Sequence, residues 1–186
     1  TMVKKAKEDG VKVTAEVCPH HFAMTEDEIA GDDANYKMNP PLRSAADVEA
    51  LVDGLADGTM EAISTDHAPH GEEEKKQSIA KAPFGIVGSE TAYALSVTHL
   101  VKTGKLTPLQ LVEKMSTNPC RILSVPGGTL SVGAPADITI ADMDSEYVID
   151  KNTFLSKGKN TPFDGAKVNG RVYYTIVGGN IVYQYE

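Results

Sequence analysis

Thr65-Asp66-His67-Ala68-Pro69-His70 is the densest grouping, in this sequence of 186 residues, of side chains able to hold a metal or move a proton. A carboxylate in such a run is either a ligand and base, or a turn cap beside two solvated imidazoles. The packing of one acid with two histidines weighs toward the first use. A second run, Cys18-Pro19-His20-His21, offers a thiol and two more imidazoles. Neighbouring residues of a strand point to opposite faces, so at most one of these histidines is expected to reach a given metal. Cys18 has no base or cation beside it in sequence and reads as a small buried hydrophobe. His99, between Val97 and Leu100 on a helical stretch, reads as a packing or surface residue. The Glu72-Glu73-Glu74-Lys75-Lys76 run reads as the solvated face of a loop. Gly178-Gly179-Asn180 is a turn rather than a phosphate cradle, because it opens no helix.

The elements that must position these groups are legible from local pattern. Residues 1–10 look like the last turns of an amphipathic helix closed by Gly10. Val11–Cys18 is rich in β-branched residues and is followed by Pro19, which predicts a strand. Thr25-Glu26-Asp27-Glu28 matches a capping box opening a short helix stopped by Gly31. Ser44–Gly58, with Val48, Leu51, Val52 and Leu55 at helical spacing, predicts a longer helix. Met60–Thr65 reads as a second buried strand, which places Asp66 at its C-terminal end. The segment from His67 to Gly88 is polar and long, a functional or mobile loop. Helices are predicted over Ser89–Lys102 and Leu109–Met115, with another short one from Asn118 to about Val125. Helix, strand, helix, strand implies a parallel α/β sheet or barrel, in which catalytic groups collect at the C-terminal strand ends. The character changes at Pro126-Gly127-Gly128. Beyond it come a strand-like run near Gly133–Asp142 and a hairpin turning at Gly178-Gly179-Asn180.

With 41% hydrophobic and 24% charged residues the composition is that of an ordinary globular protein. The formal net charge of -8 argues against nucleic acid or an anionic membrane as partner, since phosphate binding needs clustered Lys and Arg. The two cysteines, Cys18 and Cys120, suggest neither a disulfide scaffold nor a thiolate zinc site, which predicts a cytoplasmic setting. No apolar run approaches the roughly 20 residues of a membrane span.

Four segments, in order, carry a resemblance: Glu16-Val17-Cys18-Pro19-His20-His21, Lys37-Met38-Asn39-Pro40-Pro41-Leu42-Arg43, Thr65-Asp66-His67-Ala68-Pro69-His70, and Lys81-Ala82-Pro83-Phe84-Gly85 through Thr91. Together with Gly133-Ala134-Pro135-Ala136-Asp137 they resemble the dihydroorotase, dihydropyrimidinase and allantoinase branch of the amidohydrolase superfamily, the longer bacterial dihydroorotases in particular. The resemblance implies an α/β fold: residues 1–125 as the C-terminal portion of a (β/α)₈ barrel and residues 126–186 as a segment of a small β-sandwich. It implies zinc, one or two ions, with Asp66 as metal ligand and catalytic base. Asn39, His70 and the Phe84-Gly85 backbone are implied to bind the small-molecule substrate, dihydroorotate or carbamoyl aspartate, of pyrimidine biosynthesis. Hydantoin- or allantoin-type cyclic ureides, or a non-catalytic subunit, are the alternatives it leaves. A homo-oligomer, and an aspartate transcarbamoylase partner, are among its implications.

The same resemblance places the other zinc ligands upstream, on an H-x-H and on the fifth and sixth strands. His20, His21 and His67 are therefore expected to be structural or orienting neighbours. A complete barrel needs about 250 residues, so this chain by itself is expected to be inactive.

Overall fold

The computed structural model describes residues 2–185. Helix α1 (Met2–Glu8) ends through Gly10 and leads into extended chain, of which only Glu16–Val17 pair as strand β1. Its partner is β2 (Ala62–Ile63), aligned parallel with Glu16 opposite Ala62 and Val17 opposite Ile63. Both strands are shorter than Val11–Cys18 and Met60–Thr65 lead one to expect. Among the described residues each has the other as its sole neighbour in the sheet, and pairing is extended by Glu61 and Ala62 N–H to Ala15 O (2.9 and 3.3 Å) and by Ser64 N–H to Val17 O (3.1 Å).

Between the strands lie α2 (Pro19–Ala23), two single 3₁₀ turns (Glu26–Glu28 and Ala34–Tyr36) and α3 (Ala45–Ala56). The capping box at Thr25 is present, its backbone N–H held by Glu28 Oε1 at 2.7 Å, but the turn does not propagate. Helix α3 starts where Ser44 Oγ accepts from the Asp47 N–H (3.3 Å), and its buried stripe is Val52 and Leu55.

The 67–88 segment is not wholly loop. It contains α4 (Glu72–Lys75), and the acidic-basic run is not wholly solvated: Lys75 is buried, its ammonium donating to Pro83 O (3.1 Å) and Gly85 O (2.9 Å). The next helix, α5 (Ala92–Ser96), continues into a wide π turn over Val97–Val101. The two helices expected over 109–125 form one continuous run. Helix α6 (Pro108–Val112), a π turn (Glu113–Thr117) and α7 (Asn118–Leu123) follow without a break. Pro119 has no N–H to give the preceding turn, and widening that turn, with Asn118 N–H bonded to Glu113 O, lets the helix pass it instead of stopping.

An antiparallel sheet β3-β4-β5 closes the chain: Ile138–Val148, Lys167–Val177 and Asn180–Gln184. The expected hairpin is there. Val177 pairs with Asn180 across Gly178-Gly179, both at positive φ (55° and 80°), the backbone that a two-residue turn of right-handed strand twist requires.

Two hydrophobic clusters hold these pieces. One packs Val17 and Ile63 against Val52, Leu55, Val97 and Leu100. The other joins Met38, Ile86 and Leu95 to Ile149, Phe163 and Val168, so the chain beyond residue 126 shares a core with the α/β segment. The N-terminal ends of the parallel pair are tied by polar groups. Glu61 Oε2 accepts from Ala15 N–H (2.9 Å) and its carboxylate pairs with Lys7, while Lys114 Nζ donates to Met60 O (2.8 Å) and Asn118 Nδ2 to Glu61 O (2.9 Å).

His99, half-buried on the Val97–Val101 turn, is held below its ordinary value of 6.5 by burial, with Glu28 opposing. The unfolded chain therefore binds a proton that the folded chain resists, and stability falls as pH drops below 6.5. Urea unfolding from pH 7 to pH 5 should show a shallower loss in His99→Gln than in the parent. An unchanged slope would mean that this imidazole is not the acid-sensitive group.

Candidate active site

Asp66 lies three residues beyond β2, past the C-terminal end of the parallel pair. Its backbone is left-handed (φ 47°), a region that non-glycine residues enter at a cost of order 1–3 kcal/mol and that clusters at functional positions. Among the described residues nothing hydrogen-bonds its carboxylate, which is 42% exposed. His20 lies beside it. That imidazole is 2% exposed, its Nε2 has no hydrogen-bond partner among the described residues, and it sits 3.9 Å from Asp66 Oδ2. Burial, with a smaller push from His21, lowers His20 to about 3, so it is neutral at physiological pH.

The two histidines are not on opposite faces of a strand. Cys18 ends the extended chain, Pro19 takes the first position of α2, and His20 and His21 fall on its first turn with ring centroids 4.2 Å apart. A proline after an extended residue also signals a helix start, and that signal identifies the turn. Donor atoms of Cys18, His20 and His21 consequently lie within 4.8 Å of one another. Burial, with Asp66 and Glu16 adding, pushes the Cys18 thiol up to about 12, which leaves it protonated and a poor nucleophile.

The remaining motifs are joined by a seam of hydrogen bonds. His21 Nε2 donates to Pro40 O (2.8 Å), fastening the Asn39-Pro40 segment to α2. Two residues earlier, Lys37 O accepts from Gly85 N–H (2.9 Å), and the Lys37 ammonium lies 4.6 Å from the Phe84 ring centre. Gly85 then lies against Ala68. At φ +110° a Cβ on residue 85 would fall 2.4 Å from that of Ala68, so only glycine permits the approach. Ala68 N–H donates to Ile86 O (2.8 Å), and the Gly88 and Ser89 N–H groups donate to His67 Nδ1 (3.1 and 3.2 Å). His67 thus carries its proton on Nε2 and orients the loop. His70 Nε2 donates to Phe84 O (2.9 Å), leaving Nδ1 facing Glu74 at 3.8 Å. Asn39 and Phe84 are exposed, and His70 is partly so.

One residue of this seam has no local sequence signal. Asn160 is buried, and its carboxamide donates to Ala68 O (3.0 Å) and Gly85 O (3.1 Å) while accepting from His70 N–H (3.0 Å). Its own carbonyl accepts from Val87 N–H at 2.9 Å. The side chain bridges the two segments that bear His70 and Phe84. Removing it leaves the Ala68 carbonyl and the His70 N–H without partners and takes from Gly85 O one of its two donors, the other being Lys75 Nζ, a cost of about 1–3 kcal/mol. Asn160→Ala should lower the urea midpoint accordingly. Asn160→Asp should lower it further, because a carboxylate oxygen then faces two carbonyls. Equal midpoints for the two variants would contradict the assignment of Nδ2 as donor.

Relatives and solved structures fit this geometry. Residues 1–182 match the amidohydrolase family. A dihydroorotase of Bacillus licheniformis is 56% identical over 98% of this chain and 43% of its own length. A dihydroorotase of Bacillus subtilis is 53% identical over the same shares. The chain spans less than half the length of these relatives. Among solved structures, L-hydantoinase (dihydropyrimidinase) of Arthrobacter aurescens is 33% identical with a TM-score of 0.89, over 98% of this chain and 42% of that one. Dihydropyrimidinase of Brevibacillus agri is 26% identical with a TM-score of 0.91, over 98% and 41%. An Asp at a parallel strand end, the glycine-dependent seam behind it and a match along nearly the whole chain converge, and the chain belongs to the amidohydrolase family.

Proposed function

We propose that this chain supplies the catalytic base and part of the substrate pocket of a dihydroorotase, the zinc enzyme that reversibly hydrolyses the cyclic amide of dihydroorotate to carbamoyl aspartate. The observation that carries the reading is Asp66. It is strained, free of hydrogen bonds among the described residues, and set at the end of β2 beside a buried imidazole nitrogen without a partner. Relatives at 56% and 53% identity that are named dihydroorotase support the substrate.

The donor chemistry fits zinc at Asp66, since an uncommitted carboxylate is a suitable ligand. Catalytic zinc takes three protein ligands, so the others are proposed to come from the part of the longer relatives that this chain does not span. Zinc would supply hydroxide at neutral pH. Asp66 accepts the nucleophile's proton at a carboxylate oxygen and returns it to the departing ring nitrogen, so one residue serves both halves of the step. Asn39, Phe84 and Gly85 bind the ring, held in place by the seam. His70 offers Nδ1 to the substrate, because Nε2 is committed to Phe84 O.

A hydantoinase reading draws on the TM-score of 0.89 to L-hydantoinase, but at 33% identity it is supported less than dihydroorotase is by relatives at 56% and 53%. Dihydroorotate, hydantoin and allantoin assayed in parallel on the full-length protein that contains this chain separate the two, and preference for either of the last two refutes the substrate proposed here. In that protein Asp66→Asn should reduce kcat by about a hundredfold or more with far-ultraviolet circular dichroism unchanged, because the amide keeps the size but accepts no proton. Turnover within a few-fold of the parent would remove Asp66 from the base role. The 186-residue chain alone should show no zinc-dependent hydrolysis of dihydroorotate above the blank.

A further inference from the structure

We infer that Cys18, His20 and His21 form a second metal site, distinct from the one proposed at Asp66, for a thiophilic divalent cation of the zinc and cadmium type. The three side chains converge because Cys18 closes the extended segment and the two histidines occupy the first turn of α2, so donors from consecutive residues meet on one side of that turn. Their ligand atoms lie within 4.8 Å of one another. Around a tetrahedral zinc with bonds near 2.0–2.3 Å, donors stand roughly 3.5 Å apart, so side-chain rotations of about an ångström complete the set.

Two further observations point to a ligand. His20 is 2% exposed, yet its Nε2 has no hydrogen-bond partner, an arrangement that costs about 1–3 kcal/mol unless something fills it. His21 is already set for coordination. Its Nε2–H is given to Pro40 O at 2.8 Å, which fixes the tautomer and leaves Nδ1 with a free lone pair. A metal-binding imidazole characteristically gives its other N–H to a carbonyl or carboxylate in this way. A thiol with two imidazoles selects a cation soft enough to displace the thiol proton, which excludes magnesium and calcium. Three protein donors leave a fourth position open.

The bland account is that Asp66, 3.9 Å away, simply satisfies His20 by a small shift, and that no cation binds at the thiol. Cadmium titration of the purified protein, followed by the near-ultraviolet thiolate-to-cadmium charge-transfer band, decides between them. One saturable equivalent is expected, absent in Cys18→Ser and retained in Cys120→Ser, which removes the chain's only other thiol. His21→Gln should raise the cadmium Kd about tenfold or more. Asp66→Asn should leave the band intact. Cadmium should also raise the melting temperature of the parent but not of Cys18→Ser, which shows that the variant is folded and merely lacks the ligand. No band, or a band that survives Cys18→Ser, overturns the site. A band lost in Asp66→Asn assigns these donors to the Asp66 centre and overturns the claim that the two are separate.

Discussion

Three hydrogen bonds made by one carboxamide tie together the two segments that carry Asp66, His70, Phe84 and Gly85. Asn160 bridges the Asp66–His70 segment and the Phe84–Gly88 segment from outside both, reaching Ala68 O, Gly85 O and His70 N–H from a buried position. These are irregular segments whose backbone polar groups find no ladder of strands to join, and in a protein interior each unpaired group is expensive. A single amide side chain, with two donors and an acceptor, meets three of them at once. The close approach of Gly85 to Ala68 is possible because residue 85 lacks a Cβ, and it is this approach that brings both carbonyls within reach of Asn160.

The clamp explains how residues beyond 126 bear on the proposed site. Their sheet contributes Ile149, Phe163 and Val168 to the same core as Ile86 and Leu95, and that packing holds the Asn160 loop against the seam. Glu90 reinforces it, its carboxylate accepting from the Leu155 and Ser156 N–H groups at 2.7 and 3.0 Å. A site built on loops becomes rigid when its supporting bonds come from elements that are themselves buried.

What the sequence made legible was local. The Ser44 cap and the stripe of α3, the Gly178-Gly179 hairpin and the acid at the end of β2 each depend on residues a few positions apart, and each appears where the pattern puts it. The paired length of β1 and β2 was not legible, because a strand needs a neighbour and among the described residues each has only one. The helical turn at His20-His21 was obscured by a β-branched run that continues to Cys18, although Pro19 marks the switch. Asn160 could not be read at all. Its partner Ala68 is 92 residues away, and an asparagine in a polar stretch before Thr161 and Pro162 carries no local sign of burial. Lys75 is the same case in miniature: charge predicts solvent, but two carbonyls, those of Pro83 and Gly85, draw the ammonium inward.

The two ends of the parallel pair show where capacity for chemistry is left over. At the N-terminal ends, Glu61, Lys7, Lys114 and Asn118 bond one another or the strand backbone, and little hydrogen-bonding capacity is unspent. At the C-terminal ends Asp66 makes no hydrogen bond among the described residues, His20 keeps a bare nitrogen in the interior, and Asp66 holds a backbone conformation with a cost. A fold selected for stability alone would neutralise such groups, as the opposite end does. Unspent donors and acceptors at one end of the pair, backed by the seam that Asn160 holds, are the physical ground on which the proposed role of Asp66 rests.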